Sequence, residues 1–250
     1  MVRLEGKVAV VTGGSRGIGE AIARRLAAEG ATVAITYAQS EEKARAVITD
    51  IEAAAGKGKG AGMAIKADSQ DPAAVEAAIE AVSSAYGRID ILVNNAGIFD
   101  VRPIMELGLE DFDRTTDINV RAVFVAVRAA ANHMPDNGRI ITIGSNLAHR
   151  VPWPGFSLYA MSKAALIGLT KGLARDLGAR KINVNLVHPG STDTDMNPAS
   201  GEMAETQRGL MAIERYNEPG DVAGLVAWLA GPEGRSVTGA EITMDNGTNI

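Results

Sequence analysis

Tyr159 and Lys163 stand one helical turn apart in Tyr159-Ala160-Met161-Ser162-Lys163, with Ser145 fourteen positions before the tyrosine. Residues four apart on a helix project from one face, so this spacing can bring a phenol and an ammonium to the same bound molecule. A free phenol titrates near pH 10, about three units above neutrality, and a nearby positive charge favours the phenolate and lowers that value. The chemistry this suits is proton delivery and removal. A tyrosine and a lysine at this spacing also describe an ordinary solvated helix face, and the rest of the chain decides between the two.

The elements that would position these groups follow a βαβα rhythm. Short apolar runs at Val8 to Val11 and Val33 to Tyr37 alternate with helical patterns at Ile18 to Ala28 and Glu41 to Ala55. The rhythm continues with a strand at Met63 to Lys66, a helix opened by Asp71-Pro72 and running to Tyr86, and a strand at Ile89 to Val93. A long helical region from Leu109 to Met134 follows, then a strand at Arg139 to Ile143, the helix carrying Tyr159, and a strand at Ile182 to Val187. The seventh strand, Glu241 to Met244, is reached through a helix near Val222 to Leu229 with Asp221 as its expected N-cap. This predicts one α/β domain over residues 1–250, a doubly wound sheet of about seven parallel strands with helices on both faces. No Pro- or Ser-rich linker divides it. The stretch Gly56 to Gly62 reads as a surface turn, and the irregular segment from about 190 to 216 reads as a substrate lid, since it follows the carboxyl end of a strand.

Composition narrows the partners. A net charge of −5 leaves no global basic field for nucleic acid or an anionic membrane. There are no cysteines, which excludes disulfides, thiol nucleophiles and thiolate metal sites. His133, His149 and His188 are scattered without ligand-like spacing, so no metal site is expected. The N-terminal residues run into an apolar strand with no signal-peptide core, and no apolar run is long enough to span a bilayer, so the expected location is the cytoplasm.

Thr12-Gly13-Gly14-Ser15-Arg16-Gly17-Ile18-Gly19 joins the first strand to the first helix. Glycines there let backbone approach a ligand, and the free amides and positive dipole end of the helix suit a pyrophosphate. The spacing is Gly13-x-x-x-Gly17-x-Gly19, not Gly-x-Gly-x-x-Gly. This loop, Asn94-Asn95-Ala96-Gly97 after the fourth strand, Asn119, Ser145, the Tyr159 and Lys163 pair, Pro189-Gly190 and Val237-Thr238-Gly239 resemble in order the classical short-chain dehydrogenase/reductases, on their 3-oxoacyl reductase-like, ketoreductase branch. Two departures stand out. Ser145 and Tyr159 are one residue further apart than is usual in that family, and Asp245-Asn246-Gly247 replaces the common Asp-Gly-Gly.

The resemblance implies a nicotinamide cofactor. The second strand ends Thr36-Tyr37-Ala38-Gln39-Ser40 with no carboxylate to hold the ribose hydroxyls of NAD, so NADP is favoured and NAD is the alternative. Arg16 is the residue expected to hold the 2′-phosphate, with Tyr37, Gln39 and Ser40 beside it. Its plainer reading is a solvated loop charge. By resemblance Gly13, Ser15, Gly17, Ile18 and Gly19 meet the pyrophosphate, Asp68 the adenine, and Asn95, Ala96 and Gly97 line the cofactor path. Pro189, Gly190, Thr192 and Thr194 would meet the carboxamide and a phosphate.

With a hydride supplied by the cofactor, the protein must orient a carbonyl, stabilise negative charge on its oxygen and deliver a proton. Ser145 is the expected hydrogen-bond partner of that oxygen and Tyr159 the acid, or the base in reverse. The resemblance adds that Lys163 lowers the phenol pKa and binds the nicotinamide ribose, and that Asn119 helps hold a water in a proton relay. The expected reaction interconverts a ketone or aldehyde and an alcohol. Trp153, Phe156, Phe99 and Met196 are the candidate walls of an apolar substrate pocket. Alternatives are a 3-oxoacyl thioester reductase, with Arg128, Lys171 and Arg175 meeting an acidic carrier protein, and a nucleotide- or ligand-binding module with little turnover. By resemblance the chain assembles as a homotetramer.

Overall fold

Seven short apolar runs form one parallel sheet in the computed structural model, which describes residues 3–55 and 62–250. The strands are β1 Val8–Val11, β2 Thr32–Tyr37, β3 Met63–Lys66, β4 Ile91–Asn94, β5 Arg139–Ile143, β6 Asn183–Pro189 and β7 Glu241–Met244. Their order is β3-β2-β1-β4-β5-β6-β7. The chain winds outward from β1 through β2 to β3, then returns to the other side of β1 with β4. That reversal opens a crevice beyond the carboxyl ends of β1 and β4, where doubly wound sheets take their ligands.

The two-residue period of the strands sorts the core into two layers. Ala9, Val11, Ile91, Val93, Ile141 and Ile143 face one way, onto helices α1 Gly17–Ala28, α2 Glu41–Ala55 and, across the sheet, the helix Pro219–Ala230. Val8, Val10, Leu92, Ile140 and Val184 face the other way, onto α3 Pro72–Tyr86 and the helices Ala122–His133 and Ser157–Asp176. In chain order the remaining helices are α4 Leu109–Thr116, α5 Ala122–His133, α6 Ser157–Asp176, α7 Ala204–Arg208 and α8 Pro219–Ala230. None of the described helices is long and apolar enough to cross a membrane.

Several expected boundaries shift for identifiable reasons. The helical region from 109 to 134 is not continuous: a π-helical turn, Asp117–Arg121, separates α4 from α5. Such turns carry an extra residue and concentrate at functional sites. Asp221 is not the N-cap of α8. Pro219 occupies the first turn, Glu218 is the cap, and the Asp221 carboxylate accepts from the Glu218 amide at 2.9 Å. The fourth strand starts two residues late because Asp90 takes its polar work inward, accepting from the Val8 amide at 3.0 Å and from Arg88 and Lys7. The sixth runs on to Pro189 because β7 pairs with it there, Met244 opposite Pro189. Asp71 does cap α3, accepting from the Ala73 amide. The turn read at Gly56 to Gly62 lies, apart from Gly62, outside the described residues.

Candidate active site

The loop between β1 and α1 is held by the strand beside it. Asn95 donates from its carboxamide to the Thr12 and Gly13 carbonyls at 2.9 and 3.0 Å, while the Thr12 hydroxyl accepts the Asn95 and Ala96 amides. Two glycines are dictated by this packing. A Cβ on Gly13, which sits at φ +64°, would lie 2.9 Å from the Ala96 backbone, and one on Gly19 would lie 2.3 Å from the Gly13 carbonyl. Ser15 is buried, Arg16 precedes the helix with an extended backbone, and the amides of Gly17, Ile18 and Gly19 open α1 toward the crevice. A bare helix N-terminus beside a flat glycine surface fits the pyrophosphate of a dinucleotide.

At the end of β2 the expected contacts divide. Tyr37 packs in the core, and its carbonyl accepts from the Ala67 amide. Gln39 is exposed and Ser40 half-buried ahead of α2. Asp68 is exposed and accepts from the Gln70 amide, shaping the turn into α3.

The proton-handling groups converge from β5, α6 and the π turn. Ser145 follows β5, where its hydroxyl accepts from the Leu147 amide at 3.2 Å and starts the short 3-10 turn Asn146–Ala148. Burial pushes the Tyr159 phenol above its ordinary value, and a hydrogen bond with Ser145 pulls it partly back. Lys163 is buried one turn along α6, its Nζ 5.7 Å from the Tyr159 ring centroid and 3.1 Å from the Ile143 carbonyl it donates to. Burial pushes that ammonium down to about 8. Desolvation thus raises one group and lowers the other.

Asn119 sits in the π turn and is buried, where a regular helix would commonly turn an asparagine to solvent. Its Oδ1 accepts the Ile98 amide at 2.9 Å, and its Nδ2 donates to the Ile98 carbonyl at 3.1 Å and to the Ser162 hydroxyl at 3.0 Å. It thus ties the segment after β4 to α6. A Cβ on Gly97 would lie 3.2 Å from Asn119 Oδ1 and 3.5 Å from Lys163 Nζ, so these polar atoms lie together beneath a bare stretch of backbone. Behind Ser145 stands His188, fully buried, with Nδ1 2.7 Å from the Ser145 carbonyl.

The family model described as Enoyl-(Acyl carrier protein) reductase matches residues 13–249. The chain belongs to the classical short-chain dehydrogenase/reductases. A short-chain dehydrogenase of Burkholderia cenocepacia J2315, solved in complex with NADP, is 60% identical, with a TM-score of 0.96 over 99% of this chain and 100% of that one. The cyclic-di-GMP-binding biofilm dispersal mediator protein of Escherichia coli K12 is 46% identical over 96% of each chain. A 3-oxoacyl-(acyl-carrier-protein) reductase of Staphylococcus aureus is 40% identical over 96% of this chain and 97% of its own. The protein is accordingly an oxidoreductase of the short-chain dehydrogenase/reductase type.

In this short-chain dehydrogenase/reductase the segment after β6 is ordered around its own small core of Ala204, Met211 and Tyr216. Pro189 ends β6, the Gly190 amide donates to Met244, and the Thr192 hydroxyl donates to the Gly190 carbonyl. Asn197 and Gln207 exchange two carboxamide bonds of 3.0 Å, and Asp193 accepts from the Ala199 amide. Thr194 packs over the start of α1: a methyl on Gly17 would meet its Cγ2 at 3.4 Å. Asp195 lies 3.3 Å from Lys43 on α2 and 3.9 Å from Arg16.

A cavity of about 590 Å³ opens between the glycine loop, the segment after β4 and Met196, lined also by Phe99, Arg102 and Arg114. It does not reach the Tyr159 hydroxyl. Phe99, which lines the cavity, meets Phe156 at a tilt of 53° with ring centroids 5.8 Å apart, and the Phe156 ring lies 6.3 Å from that of Trp153. All four expected pocket residues are thus near the site, but only Phe99 and Met196 line this cavity. Sequence reasoning missed Lys43 and the contacts that Thr12 and His188 make. Lys43 had a readable signal, three positions past Ser40, whereas the other two act through backbone contacts that no spacing announces.

Proposed function

We propose that the chain is an NADP(H)-dependent oxidoreductase interconverting a ketone or aldehyde and an alcohol. The observation that carries this reading is the pairing of the Tyr159 and Ser145 side chains at the carboxyl end of β5, with Lys163 buried one turn below. The bound nicotinamide supplies or accepts the hydride. Ser145 would hold the substrate oxygen by hydrogen bonding, and Tyr159, kept protonated by its burial, would donate its proton as the oxygen gains charge. In the opposite direction the phenolate would take the proton from the alcohol. Lys163 would bind the nicotinamide ribose, and Asn119 would fix the backbone at Ile98 that borders it.

Arg16 and Lys43 meet over Asp195 near the end of β2, and the strand end carries no acid. Two cations at that place support NADP over NAD, as does the NADP held by the Burkholderia relative. Gly13, Ser15, Gly17, Ile18 and Gly19 would take the pyrophosphate, Ser40 and Gln39 the adenosine ribose, and Asp68 the adenine. Asn95, Ala96 and Gly97 would border the ribose, and Pro189, Gly190, Thr192 and Thr194 the carboxamide. Residues 190–216 would act as the lid, with Met196 at its inner edge. Exposed Ile104, Met105, Leu109, Phe112 and Phe124 around α4 and α5 favour assembly with further copies, as a homotetramer.

Two alternatives have support of their own. The Staphylococcus relative's name favours 3-oxoacyl thioesters, but Arg128 and Lys171 are held by Glu76 and Glu241, leaving Arg175 as the exposed helix cation for a carrier protein. The Escherichia relative's name favours a nucleotide-sensing role, for which Arg16, Arg102 and Arg114 around the cavity would meet phosphates. One experiment separates these: NADPH and NADH oxidation against ketones, diketones and 3-oxoacyl thioesters, with cyclic di-GMP binding in parallel. Turnover of simple ketones with NADPH supports the main reading, and turnover of thioesters alone the first alternative. Dinucleotide binding without any turnover would reject both enzymatic readings.

A further inference from the structure

His149, His188 and Glu241 reach one point from three parts of the fold: the turn after residues 146–148, strand β6, and the first residue of β7. One ligand-type atom from each lies within 4.8 Å of the others. Glu241 Oε2 is 3.3 Å from His149 Nε2 and 3.7 Å from His188 Nε2, and the two rings lie at 67° with centroids 4.8 Å apart. The strand register makes this no accident of side-chain placement. Leu186 is opposite Glu241, so His188, two residues further on, emerges on the same face of the sheet.

The decisive atom is His188 Nε2. It is buried and has no hydrogen-bond partner, while Nδ1 of the same ring lies 2.7 Å from the Ser145 carbonyl and 3.2 Å from the Ser145 amide. The carbonyl contact is the shorter and needs a donor; with the proton on Nδ1 to make it, the Ser145 amide gives up its own contact to that nitrogen. The Nε2 lone pair is then aimed at a carboxylate oxygen, an arrangement of two acceptors that costs free energy unless something positive lies between them. An imidazole whose far nitrogen donates to a backbone carbonyl is the orientation metal-ligating histidines adopt.

We propose that His149, His188 and Glu241 bind one divalent transition metal ion of the zinc class. Two imidazole nitrogens and one carboxylate oxygen suit Zn²⁺, Co²⁺ or Ni²⁺ and not the all-oxygen preference of Mg²⁺ or Ca²⁺. A tetrahedral Zn²⁺ with bonds of about 2.0–2.2 Å holds its donor atoms about 3.4 Å apart, so the two Glu241 contacts need little movement to meet it, and the imidazole nitrogens, within 4.8 Å of each other, draw together around the ion. Lys171 occupies the other carboxylate oxygen of Glu241 at 2.6 Å, which leaves Oε2 to the ion. His149 is partly exposed, giving the ion a route in and leaving a fourth position to water. The ion takes no part in hydride or proton transfer. It fixes His188, and through the Nδ1 contact it fixes the backbone of Ser145.

The test is a Co²⁺ titration of the tag-free, chelator-treated chain followed in the visible spectrum, with thermal melting alongside. The expected result is one Co²⁺ per chain, with the d–d bands of a low-coordinate site, displaced by Zn²⁺. Zn²⁺ should also raise the melting temperature. His149→Ala and Glu241→Gln should each abolish the bands and weaken binding at least tenfold, and His149→Ala should melt near the metal-free wild type. His133→Ala, remote on α5 and paired with Glu80, should leave the bands intact. Absence of bands in the wild type, bands that survive both ligand variants, or bands lost with His133→Ala would each overturn the assignment.

Discussion

Phe99 meets Tyr159 edge-on, with ring centroids 4.8 Å apart and planes at 88°. The pair puts an apolar wall between the proton donor and the cavity that opens toward solvent. Burial raises the phenol's pKa, and the Phe99 ring is among the groups packed against it.

Phe99→Ala removes that wall. Relative kcat/KM should move toward bulkier ketones by about tenfold, in line with the roughly 1–3 kcal/mol that pocket shape commonly discriminates, while the KM for NADPH stays unchanged. Steady-state kinetics on a graded ketone series reads this, and an unchanged order of preference would remove Phe99 from the substrate path.

Tyr159→Phe keeps the ring that packs on Phe99 and removes only the hydroxyl. Turnover should drop by about 10²–10⁴-fold, with NADPH affinity within a factor of two or so of wild type. Fluorescence titration of NADPH beside single-turnover rates separates the two effects.

Arg16→Glu places a carboxylate beside Asp195, which already lies 3.9 Å from the Arg16 guanidinium. The KM for NADPH should rise by about tenfold or more and that for NADH should change little. Equal changes for both cofactors would assign Arg16 to the loop and not to the 2′-phosphate.

Lys163 gives a stability signature. Its ammonium titrates at about 8 in the folded chain, because burial lowers it, but near 10.4 when unfolded. Between those values the unfolded state holds more protons, so stability rises with pH. Relative to Lys163→Met, in which the other titrating groups cancel, the wild type should gain about 2 kcal/mol from pH 7.5 to pH 9.5. Urea melts at the two pH values measure it, and parallel curves would mean that the lysine is not desolvated.

The succession of strands and helices and the glycine loop were legible because their signals are local: apolar runs of strand length, an Asp-Pro helix start, and glycines where backbone must pass close to backbone. Ser145, Tyr159 and Lys163 were legible through order along the chain. What stayed hidden depends on three-dimensional neighbours. Nothing local marks Asn119 as buried, since its environment is made by Ile98 and Ser162, 21 residues before and 43 after it. His149 and His188 looked scattered because β6 and the turn after β5 are brought together only by the sheet.

The extra residue in the turn Asp117–Arg121 also bears on how this chain tolerates insertions and deletions. Removing one residue there would restore a regular helix and swing everything after it by roughly 100°, since each residue of an α-helix turns the chain by that much. Asn119 would then leave both Ile98 and Ser162 without their bonds. In a library of single-residue deletions this short stretch should therefore be among the least forgiving of the chain, although an alignment by helical pattern alone would place a gap there freely.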